Sequence, residues 1–134
     1  MTHPQMFDAD DPLLARVRAI ALALPGASER VSHGRPTFNT TRQFALYGGH
    51  VKGSHDDRSL ARALLFKPDT DHRDRLLTDE RFVVPGYLGP FGWLAIALDT
   101  WQPGWDEVAD LVEESYRMTA PPKLLRELDA SSSS

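Results

Sequence analysis

The stretch from Arg81 to Trp105, RFVVPGYLGPFGWLAIALDTWQPGW, concentrates glycines, aromatics and branched apolar residues, and it sets what the rest of the chain must pack against. Within it Leu94, Ile96 and Leu98 alternate with Trp93, Ala95 and Ala97, the period-2 pattern of a strand with one bulky face and one face of small residues beside a single large ring. The bulky face has to be covered, and helices are the expected cover. Pro85-Gly86, just ahead of the strand, has the order of a type II turn, with proline presetting φ at the second position and glycine supplying φ > 0 at the third.

Two stretches have the period to supply those helices. Asp11-Pro12 reads as an N-cap followed by proline at the first helical position, and Leu13, Leu14, Val17, Ile20, Ala21 and Leu24 then form one apolar stripe that Pro25-Gly26 ends. Trp105, Val108, Leu111, Val112 and Tyr116 form the second stripe, with Asp106 and Glu107 placed at its positive N-terminal dipole and Ala120-Pro121-Pro122 as its stop. Between the helices, Ala27 to Arg35 reads as a polar connection. Pro36 to Thr40 and Arg42 to Tyr47 read as a hairpin, and Gly48 to Ser59 as an exposed glycine-rich loop. Leu60 to Lys67 is a further strand ended by Pro68, and Asp69 or Thr70 caps a short helix through Leu77. Lys123 to Leu128 offers one more turn. This order predicts a two-layer α/β (α+β) domain: an antiparallel sheet with two long helices on one face and the other face partly open.

At 134 residues the chain fits one domain, 1–134, with 1–10 and 130–134 expected to be mobile because they have nothing to bury. Its 41% hydrophobic and 25% charged content is that of a soluble globular protein, and no signal peptide is visible at its start. With no cysteine there is no disulfide framework and no thiolate site, so the cytoplasm is the expected compartment. A net charge of -4 argues against a strongly electrostatic nucleic-acid binder, but the charge is unevenly spread. Arg30, Arg35, Arg42 and Lys52 occupy a segment, Arg30 to His55, that has no acid. From Asp99 onward acids outnumber bases, which predicts a dipolar protein with a basic strand region and an acidic last helix.

Sites of chemistry are sparse. His50, Lys52, Ser54, His55, Asp56 and Asp57 bring nucleophile, imidazole and carboxylate types into one loop, yet a glycine-rich loop lacks the supporting shell that catalysis or a metal site needs. His50 and His55 share no helix face. No GxSxG, HExxH, GxGxxG or GxxxxGK[ST] pattern occurs, so no catalytic residue, metal site or cofactor is expected and the chain is not read as an enzyme.

ALPG at Ala23 to Gly26, PTF at Pro36 to Phe38, Arg42 followed by Phe44-Ala45, Lys67 closing a strand, YLG at Tyr87 to Gly89, Gly92-Trp93, WDEV at Trp105 to Val108 and SYRMTAP at Ser115 to Pro121 together resemble the MmcQ/YjbR family. The resemblance implies a frataxin-like two-layer fold and a DNA-binding role, with no established activity or catalytic residue. Between YLG and GW, where many members carry basic residues, this chain has Pro90-Phe91, neither of which neutralises a phosphate. Frataxins handle iron with acids on their first helix, whereas this helix carries Arg16 and Arg18, so the fold implies no shared iron function.

The expected binding residues are Arg35, Arg42, Lys52 and Lys67 as phosphate contacts, with Arg62 on the same path, and Tyr87 and Trp93 as stacking or packing aromatics beside Phe91 and Trp101. Nucleic acid is the expected partner of a monomeric, membrane-free protein. A small protein or ligand meeting the same sheet face by apolar contact is the alternative.

Overall fold

The computed structural model describes residues 5–53 and 56–132. Helix α1 (Pro12–Leu22) opens as its sequence dictates: Asp11 takes an extended conformation and its carboxylate accepts the Leu13 N–H at 2.9 Å, while Pro12 occupies the first turn. Six strands then form one sheet in the order β1 (Ser28–Ser32), β2 (Arg35–Asn39), β3 (Gln43–Tyr47), β4 (Ala63–Phe66), β6 (Leu94–Ala97) and β5 (Phe82–Val83), with every neighbouring pair antiparallel. Helix α2 (Thr70–Leu76), capped by Asp69, links β4 to the β5 edge. After β6 come the single turn α3 (Leu98–Trp101), the long α4 (Trp105–Thr119) and α5 (Pro122–Ser132).

The core lies between α1, α4, α5 and one face of the sheet. Leu14 and Val17 of α1, Val108, Leu111, Val112 and Tyr116 of α4 and Leu128 of α5 meet Phe38, Phe44, Tyr47, Leu64, Phe66, Leu94 and Ile96. The predicted bulky face of β6 is buried against helices as expected, and Leu98 is buried too, although it begins α3 instead of closing the strand. Phe38 pairs with Ala45 and Asn39 with Gln43, which leaves Phe44 as an extra residue in β3. That bulge turns Phe44 toward the helices, where its ring meets Tyr116 edge-on at 5.3 Å. Buried Ser115 fastens α4 to the sheet, donating to the Phe44 carbonyl at 2.5 Å and accepting the Lys67 N–H at 2.8 Å.

Four local expectations are corrected. Residues 28–32, read as connection, form edge strand β1, paired with β2 along its whole length. Its SERVS sequence lacks an apolar alternation because its helix-side contact is an ion pair, Arg18 with Glu29 at 2.6 Å. The single turn after Pro121-Pro122 is an eleven-residue helix, α5, which runs to Ser132; residues 1–4 and 133–134 of the termini lie outside the described residues. Gly86 does not take φ > 0; Tyr87 does, at 64°, so the Pro85-Gly86 turn is not type II. Gly86 instead donates its N–H to the His50 carbonyl at 2.9 Å, and Val51 bridges to Pro85. The glycine-rich loop is therefore not wholly exposed.

Candidate nucleic-acid interface

One ladder crosses the outer face of the sheet, the face away from the long helices: Arg30, Thr37, Leu46, Leu65 and Ala95 stand opposite one another from β1 to β6. It is polar at one end and apolar at the other. At the apolar end Trp93, Leu60, Ala63, Leu65 and Ala95 form a second, smaller cluster, which Leu46, Val51 and Leu88 partly cover. The loops around Val51 and Pro85 pack over β4 and β6, whereas the more open β1–β3 half exposes Arg30 and keeps Arg35, Thr37 and Asn39 of β2 buried.

The open half holds a concavity of about 330 Å³ lined by Arg30, Thr37, Asn39, Thr41, Arg42 and Gln43 among others. Strand alternation explains its charge. Glu29 turns toward α1 and Arg18, so the next residue, Arg30, turns outward. Thr37 donates its hydroxyl to the Arg30 carbonyl at 3.0 Å and accepts from the Asn39 amide at 3.1 Å, which fixes both side chains in the floor. No acidic side chain lines the concavity, and neither Arg30 nor Arg42 forms an ion pair among the described residues.

The six expected binding residues are distributed unequally. Arg42 lies in the concavity. Lys67 follows Phe66, which pairs with Ala45 and Leu94, so it falls at the end of the sheet that carries Arg42 and Trp93. Lys52 and Tyr87 are brought together by the paired loops, with the Tyr87 ring edge-on to His50 at 6.2 Å. Tyr87 is 68% exposed and Phe91 67%, whereas Trp93 is 6% exposed and packs in the second cluster, so its ring offers no stacking surface. Arg35 shares the face but is itself buried at its end. Arg62 leaves the path altogether: it donates to both oxygens of the Asp11 carboxylate, at 2.6 and 3.0 Å.

That Asp11 carboxylate is buried and also accepts the Tyr47 hydroxyl. Burial alone would raise its pKa, but Arg62, Tyr47 and the Leu13 N–H outweigh it and hold the group at about 2. Burial first, then the Asp11 contact, pushes the Tyr47 phenol up. The triad ties the start of α1 to β3 and the approach to β4; it is an anchor of the fold.

One residue of the face, Arg30, escapes a reading by segment. Arg30 was legible only with SERVS taken as a strand, since alternation alone then separates it from Glu29. Among the described residues no cluster of three or more His, Asp or Glu is placed to hold a metal ion; His55, part of the loop's candidate ligand set, lies outside them. No helix among the described residues is long and apolar enough to cross a membrane.

A family model for YjbR matches residues 22–118, which include all six strands complete and most of α4. The crystal structure of Deinococcus radiodurans protein DR2400, a DUF419-domain protein, superposes with a TM-score of 0.64 at 17% identity and covers 87% of each chain. At that identity the likeness is one of fold. No curated protein matches the sequence.

Proposed function

The chain belongs to the YjbR family, and from that premise we propose that it is a non-enzymatic nucleic-acid-binding protein whose contact surface is the open half of the outer sheet face. The observation that carries this reading is the acid-free concavity in which Arg30 and Arg42 stand without ion pairs over a floor of Thr37, Asn39 and Gln43. Unpaired guanidiniums are suited to phosphate oxygens, and the exposed Thr41 hydroxyl and half-buried Gln43 amide beside them to sugar and base edges, over the buried Thr37 and Asn39. Lys52 and Lys67 extend the cationic path, and the exposed rings of Tyr87 and Phe91 are the available stacking surfaces. The protein acts in this reading as a cytoplasmic monomer without metal or cofactor.

The test is fluorescence anisotropy on single- and double-stranded oligonucleotides across a salt series. Binding is expected to be weak, sequence-tolerant and steeply salt-dependent, and each of Arg30→Ala and Arg42→Ala is expected to reduce the log–log salt slope by about one. No binding at about 20 mM salt, where screening is weak, sinks the reading. The exposed rings of Tyr87, Phe91 and, to a lesser degree, Trp101 favour the second reading, a small protein or ligand partner held by apolar contact, and that partner would be insensitive to salt.

A further inference from the structure

Tyr87 is held in a backbone conformation that large side chains avoid. Its φ is +64°, and the Leu88 N–H donates to the Gly86 carbonyl across it at 2.7 Å, so it stands at the centre of a γ-turn of the strained, positive-φ kind. Such strain persists only where the surroundings over-determine it. Here the Gly86 N–H is tied to the His50 carbonyl at 2.9 Å, the Gly89 N–H to the Pro85 carbonyl at 3.2 Å, and Leu88 packs on the outer-face cluster. A glycine at 87 would take the same turn without that cost. The tyrosine gains little burial in return: its ring meets His50 edge-on at 6.2 Å, and the residue is 68% exposed. Phe91, 67% exposed, stands on the same loop. That loop adjoins the cations of the open half. A Cβ on Gly92 would lie 3.8 Å from Lys67 Cε, and Arg42 before β3, Lys67 after β4 and Gly92 before β6 follow one another across one end of the sheet.

We infer that this surface takes nucleic acid as a single strand, with the Tyr87 ring stacked on an unpaired base and the adjoining phosphates led past Lys67 to Arg42 and Arg30. The inference rests on the nucleic-acid reading above and narrows it. Stacking needs a base with a free π-face, and within a duplex both faces are taken by neighbouring bases. The concavity points the same way. Duplex sequence is read by a helix or ribbon inserted into a groove about 12 Å wide. Here exposed Arg30, Thr41 and Arg42 and half-buried Gln43 instead border a hollow of about 330 Å³, a volume suited to a small ligand group such as one splayed nucleotide.

The experiment titrates the full chain into a labelled mixed-sequence oligonucleotide, as a single strand and annealed to its complement, and follows anisotropy from about 20 mM salt upward. The single strand is expected to bind at least about tenfold more tightly than the duplex. Tyr87→Gly is expected to melt no lower than wild type, because glycine relieves the positive φ, and yet to bind the single strand about tenfold more weakly with the salt slope unchanged. Tyr87→Phe, which keeps the ring, is expected to bind as wild type does. Arg42→Ala is expected to lower the slope by about one and to keep the single-strand preference. Equal binding of single strand and duplex overturns the inference and leaves the nucleic-acid reading standing, whereas failure of both to bind sinks the two together. A folded Tyr87→Gly protein that binds the single strand as tightly as wild type also overturns it, because the ring then stacks on nothing.

Discussion

The two faces of the sheet treat charge in opposite ways. The ion pairs lie on the helix side: Arg18 pairs with Glu29, Arg62 with Asp11, Arg81 with Asp79 and Glu107, and Arg117 with Glu113 and Asp129, although Arg16, Arg73, Arg75, Lys123 and Arg126 form none among the described residues. On the outer face Arg30 and Arg42 are exposed without an ion pair among the described residues, and Arg35 is buried without one. The helix-covered face also holds the larger apolar core. Stability and charge satisfaction are therefore concentrated on one side, which leaves the cations of the other dispensable to the fold.

The largest effect should come from the helix-covered side. Phe66 is fully buried and meets Phe82 edge-on at 6.0 Å. Phe66→Ala should lose about 3–5 kcal/mol in chemical denaturation, the transfer term plus the cavity left behind. A loss below about 1 kcal/mol would break the contrast at its stronger end. Trp93→Ala sharpens it, because Trp93 sits on the outer face but in the small cluster whose cover is two loops. The site can collapse more readily there, and a loss of about 3 kcal/mol is expected, with any fall in ligand binding tracking the unfolded fraction. Weakened binding in a fully folded Trp93→Ala protein would mean that the ring contacts ligand.

Acid should affect the two faces differently as well. The pKa of Asp11 is lowered from 3.8 to about 2, so its ion pair with Arg62 is fully present above the unfolded value and is lost as pH falls from there through about 2. The contribution is about 2 kcal/mol. Denaturation curves between neutral pH and pH 2 should show that loss in wild type, and Asp11→Asn should flatten the corresponding part of the profile. An unchanged profile in Asp11→Asn would remove the triad as an anchor.

What the sequence disclosed follows the same division. The β6 alternation and the stripes of α1 and α4 were legible because residues in one element share one buried face, and local period reports it. SERVS was not, because an edge strand with an ion pair toward the helix has no apolar period to show. The turn at Pro85 was misread for a different reason. Gly86 gives its N–H to His50, a partner 36 positions earlier in the chain, and the positive φ passes to Tyr87. The expected contacts Arg35, Arg42 and Lys52 were legible as a basic, acid-free segment, but their separation was not. Whether Arg35, Arg42 and Arg62 converge depends on a loop folding back at Gly48 and on where Asp11 lies.

The smallest effect on stability should come from the residues assigned the largest effect on binding. Arg30 and Arg42 make no ion pair among the described residues, and their charges contribute nothing to the core. Arg30→Ala and Arg42→Ala should each change unfolding free energy by no more than about 0.5 kcal/mol, the range of surface substitutions away from caps, cavities and networks. The double mutant should be additive in stability, since two unpaired guanidiniums share no partner through which to couple. Its oligonucleotide affinity should nonetheless fall, with the salt slope shallower by about two. Removing like charges that border one concavity can even stabilise the folded protein, and a small gain would strengthen the case. A loss above about 1 kcal/mol in either single mutant would show that the outer face carries part of the fold, and the division of labour between the two faces would be wrong.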